Sequence, residues 1–158
     1  MSASPASWQK QASAKYCGDF WRIPMQYLGH NQIAEELMTK WSELEPERCS
    51  KIKGQCPGYF YQIHYNQPHK GRRHWDFDFD FNPSRFRNEQ YQFALLHWML
   101  YEAICDRNWK ASSTINSEGT QVTVTATFST NTCSHSNPAI ALLQAYLECL
   151  EFTAKISS

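Results

Sequence analysis

Residues 74–81, His-Trp-Asp-Phe-Asp-Phe-Asp-Phe, alternate between polar and aromatic side chains without a break. Successive side chains of an extended chain point to opposite sides, so the pattern predicts a β-strand with two different faces. The aromatic face consists of Trp75, Phe77, Phe79 and Phe81. The polar face consists of His74, Asp76, Asp78 and Asp80. We therefore expect the rest of the fold to cover the aromatic face and to leave the polar face at the surface.

Other segments carry apolar residues either at helical spacing or in the alternation of strands. Helices are predicted over 33–44, 82–107 and 137–152, and further strands over 59–66, 109–115 and 121–128. An Asn-Pro pair starts the second and third helices, because proline suits the first helical turn. The second helix is apolar on nearly every side, including Trp98, which predicts that it is buried. Segments 47–58 and 129–136 are predicted to be a loop and a link.

The elements follow the order helix, hairpin, helix, hairpin, helix. This order predicts an α+β fold, a helix and sheet sandwich in which a twisted antiparallel or mixed sheet of about four strands packs its apolar face against about three helices. In the last strand, Val122, Val124, Ala126 and Phe128 are expected to face the core. Residues 1–23 are interpreted as an N-terminal arm containing aromatic residues, and residues 24–158 as a single domain. A domain of this length can bury a core without a metal ion or disulfide bonds.

The charge balance argues against a partner recognised by a global field. Lysine plus arginine and aspartate plus glutamate number 15 each, which disfavours a nucleic-acid partner. No segment approaches eighteen consecutive apolar residues, so a membrane partner is not expected. Cys105 and Cys149 lie in apolar helical patterns, where cysteine acts as a small buried hydrophobe. We therefore expect reduced cysteines and a cytoplasmic location, in the host cell if the protein is viral.

The polar face of the 74–81 strand is the first candidate site. His64, on the partner strand, is expected to join His74, Asp76, Asp78 and Asp80. Carboxylates are hard ligands for divalent cations, but same-face residues lie about 6.6 Å apart along a strand, too far for three to share one ion. The preferred interpretation is a surface that faces either solvent or a partner, as on any sheet with one wet face.

The turn before this strand and the start of the next helix supply one basic cluster, the second candidate site. It consists of His69, Lys70, Arg72, Arg73, Arg85 and Arg87. Backbone N–H groups at a helix start also favour anions, so the cluster is a candidate site for a phosphate or a nucleotide. The alternative is a hairpin tip whose charges only keep it soluble.

Metal and nucleophile motifs are weaker. A zinc site would use Cys49, Cys56, Cys133 and His135, but their separations miss the short spacing of zinc knuckles. No Ser-His-Asp ordering and no glycine loop for phosphates is evident, which disfavours nucleophilic and nucleotide-hydrolysing chemistry. Pairs of carboxylates for general acid chemistry stay open, since their pairing would be spatial. We predict no cofactor and no bound metal.

The part of the chain from Asn82 onward resembles small phage and prophage proteins of the NinX type and the phage ABA sandwich domains. The matching features are Asn82-Pro83-Ser84, Trp109, the strand from Val122 to Phe128, and Asn137-Pro-Ala-Ile-Ala-Leu-Leu143. The aromatic arm and the Asp-rich strand depart from that pattern. The resemblance implies a helix and sheet sandwich in a viral or mobile-element setting, and these families offer no catalytic residues to carry over.

The function expected from these observations is a non-catalytic binding protein of phage or mobile-element type that docks on a host protein. The resemblance implies a host defence component as one class of target. The acidic strand face and the basic turn are expected to form the contact surface together. The alternative is a small-ligand binder that holds a phosphorylated nucleotide between aromatic groups and the Arg72/Arg73 loop, and an enzyme ranks third. Self-association stays open.

Overall fold

The computed structural model describes residues 25–54, 58–67, 73–81 and 89–158, with the side chains of residues 31–54, 58–64, 76–81 and 90–158. Within these ranges the chain forms three helices and six strands. The helices are α1 (Met25–Leu44), α2 (Glu89–Asp106) and α3 (Pro138–Ser157). The strands are β1 (Cys49–Lys53), β2 (Tyr59–Gln67), β3 (Arg73–Phe79), β4 (Lys110–Asn116), β5 (Gly119–Thr125) and β6 (Thr130–His135). The predicted N-terminal arm lies outside the described residues.

The strands form two antiparallel three-stranded sheets, sheet A in the order β1-β2-β3 and sheet B in the order β4-β5-β6. The α+β class is therefore confirmed, but the expected single sheet of about four strands is wrong. The two segments predicted to be a loop and a link contain β1 and β6, each of which adds a third strand to a predicted hairpin. Both strands are short and mainly polar, so hydrophobic alternation did not reveal them.

The two faces predicted for the 74–81 segment are recognisable in its described side chains, although Phe77 and Asp80 are both only partly buried. Phe79 and Phe81 are buried, whereas Asp76 and Asp78 are exposed. Helix α2 covers part of the aromatic face, since the ring of Phe81 lies 5.9 Å from that of Phe93. Sheet A therefore packs its aromatic face into the core and presents a polar face on its other side.

Helix α3 is the central element of the core. It begins at the predicted Asn-Pro pair, and Asn137 caps it, because its side-chain Oδ1 accepts hydrogen bonds from the backbone N–H groups of Ala139 at 2.9 Å and Ile140 at 3.4 Å. Ten of its residues are buried, and it contacts α1, α2, β5 and β6. Within the ranges that the structure describes, no helix combines the length and the apolar character that a membrane crossing requires.

Several apolar residues expected in the core lie at the surface. Helix α2 is only partly buried, because Trp98 is 44% exposed and Cys105 is exposed. Phe128 is 67% exposed, although Val122 and Val124 are fully buried as expected. The strand alternation ends with β5 at Thr125, so the register no longer directs Phe128 inward.

A buried polar cluster, the Glu45 network, joins the ends of α1 and α2 to α3. Glu45 is 3% exposed and accepts hydrogen bonds from Trp41 Nε1 at 2.9 Å, Tyr146 Oη at 2.7 Å and Arg107 Nη2 at 2.6 Å. Arg48 Nε donates a fourth at 3.3 Å. Burial alone would raise the pKa of Glu45, but its hydrogen bonds and the charge of Arg107 outweigh burial and hold that pKa below its ordinary value. The carboxylate is therefore ionised and fully engaged at neutral pH.

Candidate functional site

The register of sheet A brings polar side chains from all three strands onto one face. In the antiparallel pairing, His64 lies opposite Asp76 and Gln62 lies opposite Asp78. Ser50 of β1 lies opposite Gln62, which precedes His64 by two residues on β2 and shares its face of the strand. Because side chains of directly opposed residues share a face, these five residues form one patch, which we call the polar face of sheet A.

Hydrogen bonds order the polar face into two short chains. Ser50 Oγ lies 2.8 Å from His64 Nε2, and His64 Nδ1 lies 2.7 Å from Asp76 Oδ1. Beside them, Gln62 Nε2 donates to Asp78 Oδ1 at 3.0 Å. An exposed aspartate at neutral pH only accepts hydrogen bonds, so His64 Nδ1 carries the proton that points to Asp76. In the neutral ring, His64 Nε2 is then an acceptor, and Ser50 Oγ donates to it.

The side chains of His64 and Asp76 differ in their access to solvent. The side chain of His64 is 22% exposed and that of Asp76 is 38% exposed. Ser50 is partly buried. The chain therefore lies at the protein surface, with its acidic end the more accessible one.

Ser50 and Gln62 are the residues of this site that the sequence prediction missed. The expectation of no Ser-His-Asp ordering is corrected, because Ser50, His64 and Asp76 come together from three adjacent strands. Each is too far from the others along the chain to form a local motif. The segment Cys49–Lys53 places Ser50 and Ile52 on one face, so it lacks an alternation of apolar and polar side chains and is predicted from sequence to be part of a loop.

The remaining residues of the predicted acidic site are less closely grouped. Asp80 follows the end of β3, is partly buried and lies near Glu35 of α1. Burial raises the pKa of Glu35, Lys51 opposes this shift and the negative charge of Asp80 reinforces it. The backbone of His74 belongs to β3 and lies opposite Asn66. Asp76 and Asp78 therefore form the exposed acidic part of the polar face.

The predicted basic cluster falls mostly outside the described residues. This applies to His69, Lys70, Arg72, Arg85 and Arg87. Arg73 belongs to β3 by its backbone, opposite Gln67. The cluster stays a prediction, as does its joining with the acidic face.

The residues considered for zinc are not assembled. Cys49 is buried and its Sγ faces the carbonyl oxygen of Met38 at 3.9 Å, whereas Cys133 and His135 lie on β6 in the other sheet. Cys56 lies outside the described residues. Burial raises the pKa of Cys49 to about 12, so this thiol is protonated at neutral pH. Across the part of the chain that the structure describes, no three histidine, cysteine or acidic residues are grouped as a metal site requires.

A cavity of about 640 Å³ lies between α2 and the start of α3. Its described lining consists of Gln90, Phe93, Ala94, His97, Asn137, Pro138 and Ala139. Burial lowers the pKa of His97, so its ring is neutral at pH 7 and offers one donor and one acceptor. The volume falls in the range of small-molecule sites.

Comparisons of the chain with protein-family models, with curated proteins and with solved structures found no match. The function is therefore argued from the geometry of the polar face and of the cavity.

Proposed function

We propose that the chain is a non-catalytic binding protein of phage or mobile-element type that docks on a host protein through the polar face of sheet A. The observation that carries the proposal is the exposed pair Asp76 and Asp78, each held by a cross-strand hydrogen bond. The resemblance of the chain from Asn82 onward to phage proteins supports the setting, and a host defence component is the class of target that it implies.

The order of these carboxylates favours recognition of a basic surface. Gln62 and His64 hold the two side chains in place, so a partner does not bear the entropy cost of ordering them. Lysine and arginine side chains make strong, charge-assisted hydrogen bonds with carboxylates arranged in this way. Opposite charges of this kind mainly set the rate and the specificity of association. The partner that fits is therefore a protein with a cluster of lysine or arginine.

Reversing one of these charges is the test of docking. We expect Asp78→Lys to weaken the complex at least tenfold, because it puts a positive charge opposite the partner's basic cluster and removes the acceptor of Gln62. The partner is first identified by mass spectrometry after capture from host lysate, and the affinity of the purified pair is then titrated at low and high salt.

Glu118→Lys is the matched control, since Glu118 is also exposed but lies in the turn between the strands of sheet B. The control is expected to keep wild-type affinity. Equal affinity of wild type and Asp78→Lys at low salt would remove the polar face from the binding site.

The cavity between α2 and α3 favours a small-ligand binder as the second candidate function. The described lining offers polar groups from Gln90, His97 and Asn137 beside the apolar side chains of Phe93 and Ala94, which suits a planar molecule with polar edges such as a nucleoside. A ligand whose free concentration is a hundred times its Kd should stabilise the fold by about 2.7 kcal/mol.

Thermal unfolding with a panel of nucleosides and nucleotides tests this second candidate. Ala94→Trp is the control variant, because Ala94 is an exposed lining residue and a larger side chain there fills the space. We expect a nucleoside to raise the Tm of wild type and not that of Ala94→Trp. No shift with any member of the panel, or equal shifts in both proteins, would argue against the cavity as the site.

A further inference from the structure

The chain Ser50–His64–Asp76 joins the three groups of a nucleophilic site in the working order of a serine nucleophile, a base and an orienting carboxylate. We propose that Ser50 is an activated nucleophile that accepts the acyl group of a neutral or cationic carboxylic ester. This inference goes beyond the proposed docking function and does not depend on it, and a single acylation of Ser50 without turnover leaves the chain non-catalytic.

Ser50 Oγ has two neighbouring acceptors for its proton, His64 Nε2 and the carbonyl oxygen of Pro46. Asp76 accepts from His64 Nδ1 at 2.7 Å, which leaves the lone pair of His64 Nε2 directed at Ser50 Oγ, 2.8 Å away. The carbonyl oxygen of Pro46 lies 3.5 Å from the same Oγ, beyond the usual range for an O–H donor. The imidazole is therefore the acceptor of the serine proton, and it is a base that is able to remove it.

The polar face also holds a pair for comparison. Gln62 and Asp78 form an ordinary cross-strand hydrogen bond that contains neither a hydroxyl group nor an imidazole. The chain through His64 has the same strand geometry but places a titratable ring between a hydroxyl and a carboxylate. The Ser50–His64–Asp76 chain therefore differs from the Gln62–Asp78 pair in the chemistry of its groups.

Ser50 is partly accessible to solvent and lies on the same face as two exposed aspartates. Ser50 lies on β1, which is an outer strand of sheet A with β2 as its single described neighbour, and Ser50 is only partly buried. Asp76 and Asp78 give this surface negative charge. Anionic acyl donors are repelled by these groups, so a neutral or cationic ester is the class that suits the site.

The reaction is a single acyl transfer. Ser50 Oγ attacks the ester carbonyl carbon while its proton passes to His64 Nε2, so that a new C–O bond forms. The bond between the carbonyl carbon and the leaving oxygen then breaks, and the proton on Nε2 goes to that oxygen. The products are acylated Ser50 and a free alcohol, with no change in oxidation state. Asp76 stabilises the ring while it carries the extra proton.

The test uses the full chain with p-nitrophenyl acetate, a neutral ester. The rate of p-nitrophenolate release is measured, and samples quenched in acid are mapped by peptide mass for acetyl on Ser50. We expect acetylation of Ser50 in the wild type and none at this position in Ser50→Ala. His64→Gln should lower the rate at Ser50 about a hundredfold, the usual contribution of a general base. Asp76→Asn should lower it less, because the ring remains but its orientation is no longer held by a carboxylate.

Two controls separate activation from the general reactivity of exposed groups. Ser112→Ala removes an exposed strand serine of sheet B and should leave the rate unchanged. Wild type unfolded in urea should lose the reaction at Ser50, since the three groups are then apart. The proposal is overturned if Ser50 reacts equally fast in the folded and unfolded chain, if His64→Gln acetylates at the wild-type rate, or if no acetyl is found on Ser50 of the wild type and its p-nitrophenolate release equals that of Ser50→Ala.

Discussion

Replacing Glu45 with alanine is expected to lower the free energy of unfolding by about 3 to 5 kcal/mol, the cost of breaking a buried ion pair by removing one partner. The substitution leaves the guanidinium of Arg107 and the polar hydrogens of Trp41 and Tyr146 without the carboxylate that accepts from all three. Urea titration of wild type and variant measures the difference.

Glu151→Ala is the matched control. Glu151 pairs with Lys40 at 2.6 Å, and both side chains are more than a third exposed, at 35% and 39%. An exposed pair of this kind contributes less than about 1 kcal/mol. If Glu45→Ala costs no more than Glu151→Ala, the Glu45 network contributes no more than a surface ion pair.

The same network sets an acid limit to stability. The pKa of Glu45 is lowered on folding, so its contribution is fully present above the unfolded value of about 4.3 and is lost as the pH falls through the lower, folded value. Part of the loss of wild-type stability below about pH 4.3 should therefore be missing in Glu45→Ala, and the two stability curves should converge in acid.

Phe79→Ala is expected to cost about 3 to 5 kcal/mol, because a fully buried ring is replaced by a cavity. Phe79 is stacked on Phe81 at 6.5 Å between ring centroids and lies opposite the buried Tyr61 in sheet A. The neighbouring change Asp78→Asn should leave the Tm nearly unchanged, since Asp78 is exposed and asparagine still accepts from Gln62. Equal losses in the two variants would contradict the assignment of the two faces.

Local sequence patterns gave correct predictions for features that depend only on residues of the same segment. The alternation of residues 74–81 predicted the burial of Phe79 and Phe81 and the exposure of Asp76 and Asp78, and the Asn137-Pro138 pair predicted the start of α3. Both depend on neighbours within a few residues, through the period of the strand and the geometry of the helix cap.

What the sequence left hidden depends on partners that are distant along the chain. Trp98 and Phe128 are apolar, but nothing in their own segments indicates that their side chains are 44% and 67% exposed. The contact of Ser50 with His64 depends on the register of β1 on β2, and a polar strand of five residues carries no sequence pattern that predicts this register. Cross-strand pairing is set by the assembled sheet, so the order serine, histidine, aspartate appears only after folding.

The position of α3 in the chain affects how the protein is made in the cell. Tyr146 bonds to Glu45 across a separation of 101 residues, and α3 also packs on α1, α2 and sheet B. A nascent chain that has left the ribosome only as far as β6 therefore lacks the helix that packs on α1, α2 and sheet B together. Closing so long a loop is slow, and the apolar surfaces that await α3 stay open to other chains in the meantime. The part of the core that α3 fills can therefore form only after residues 138–157 have been synthesised.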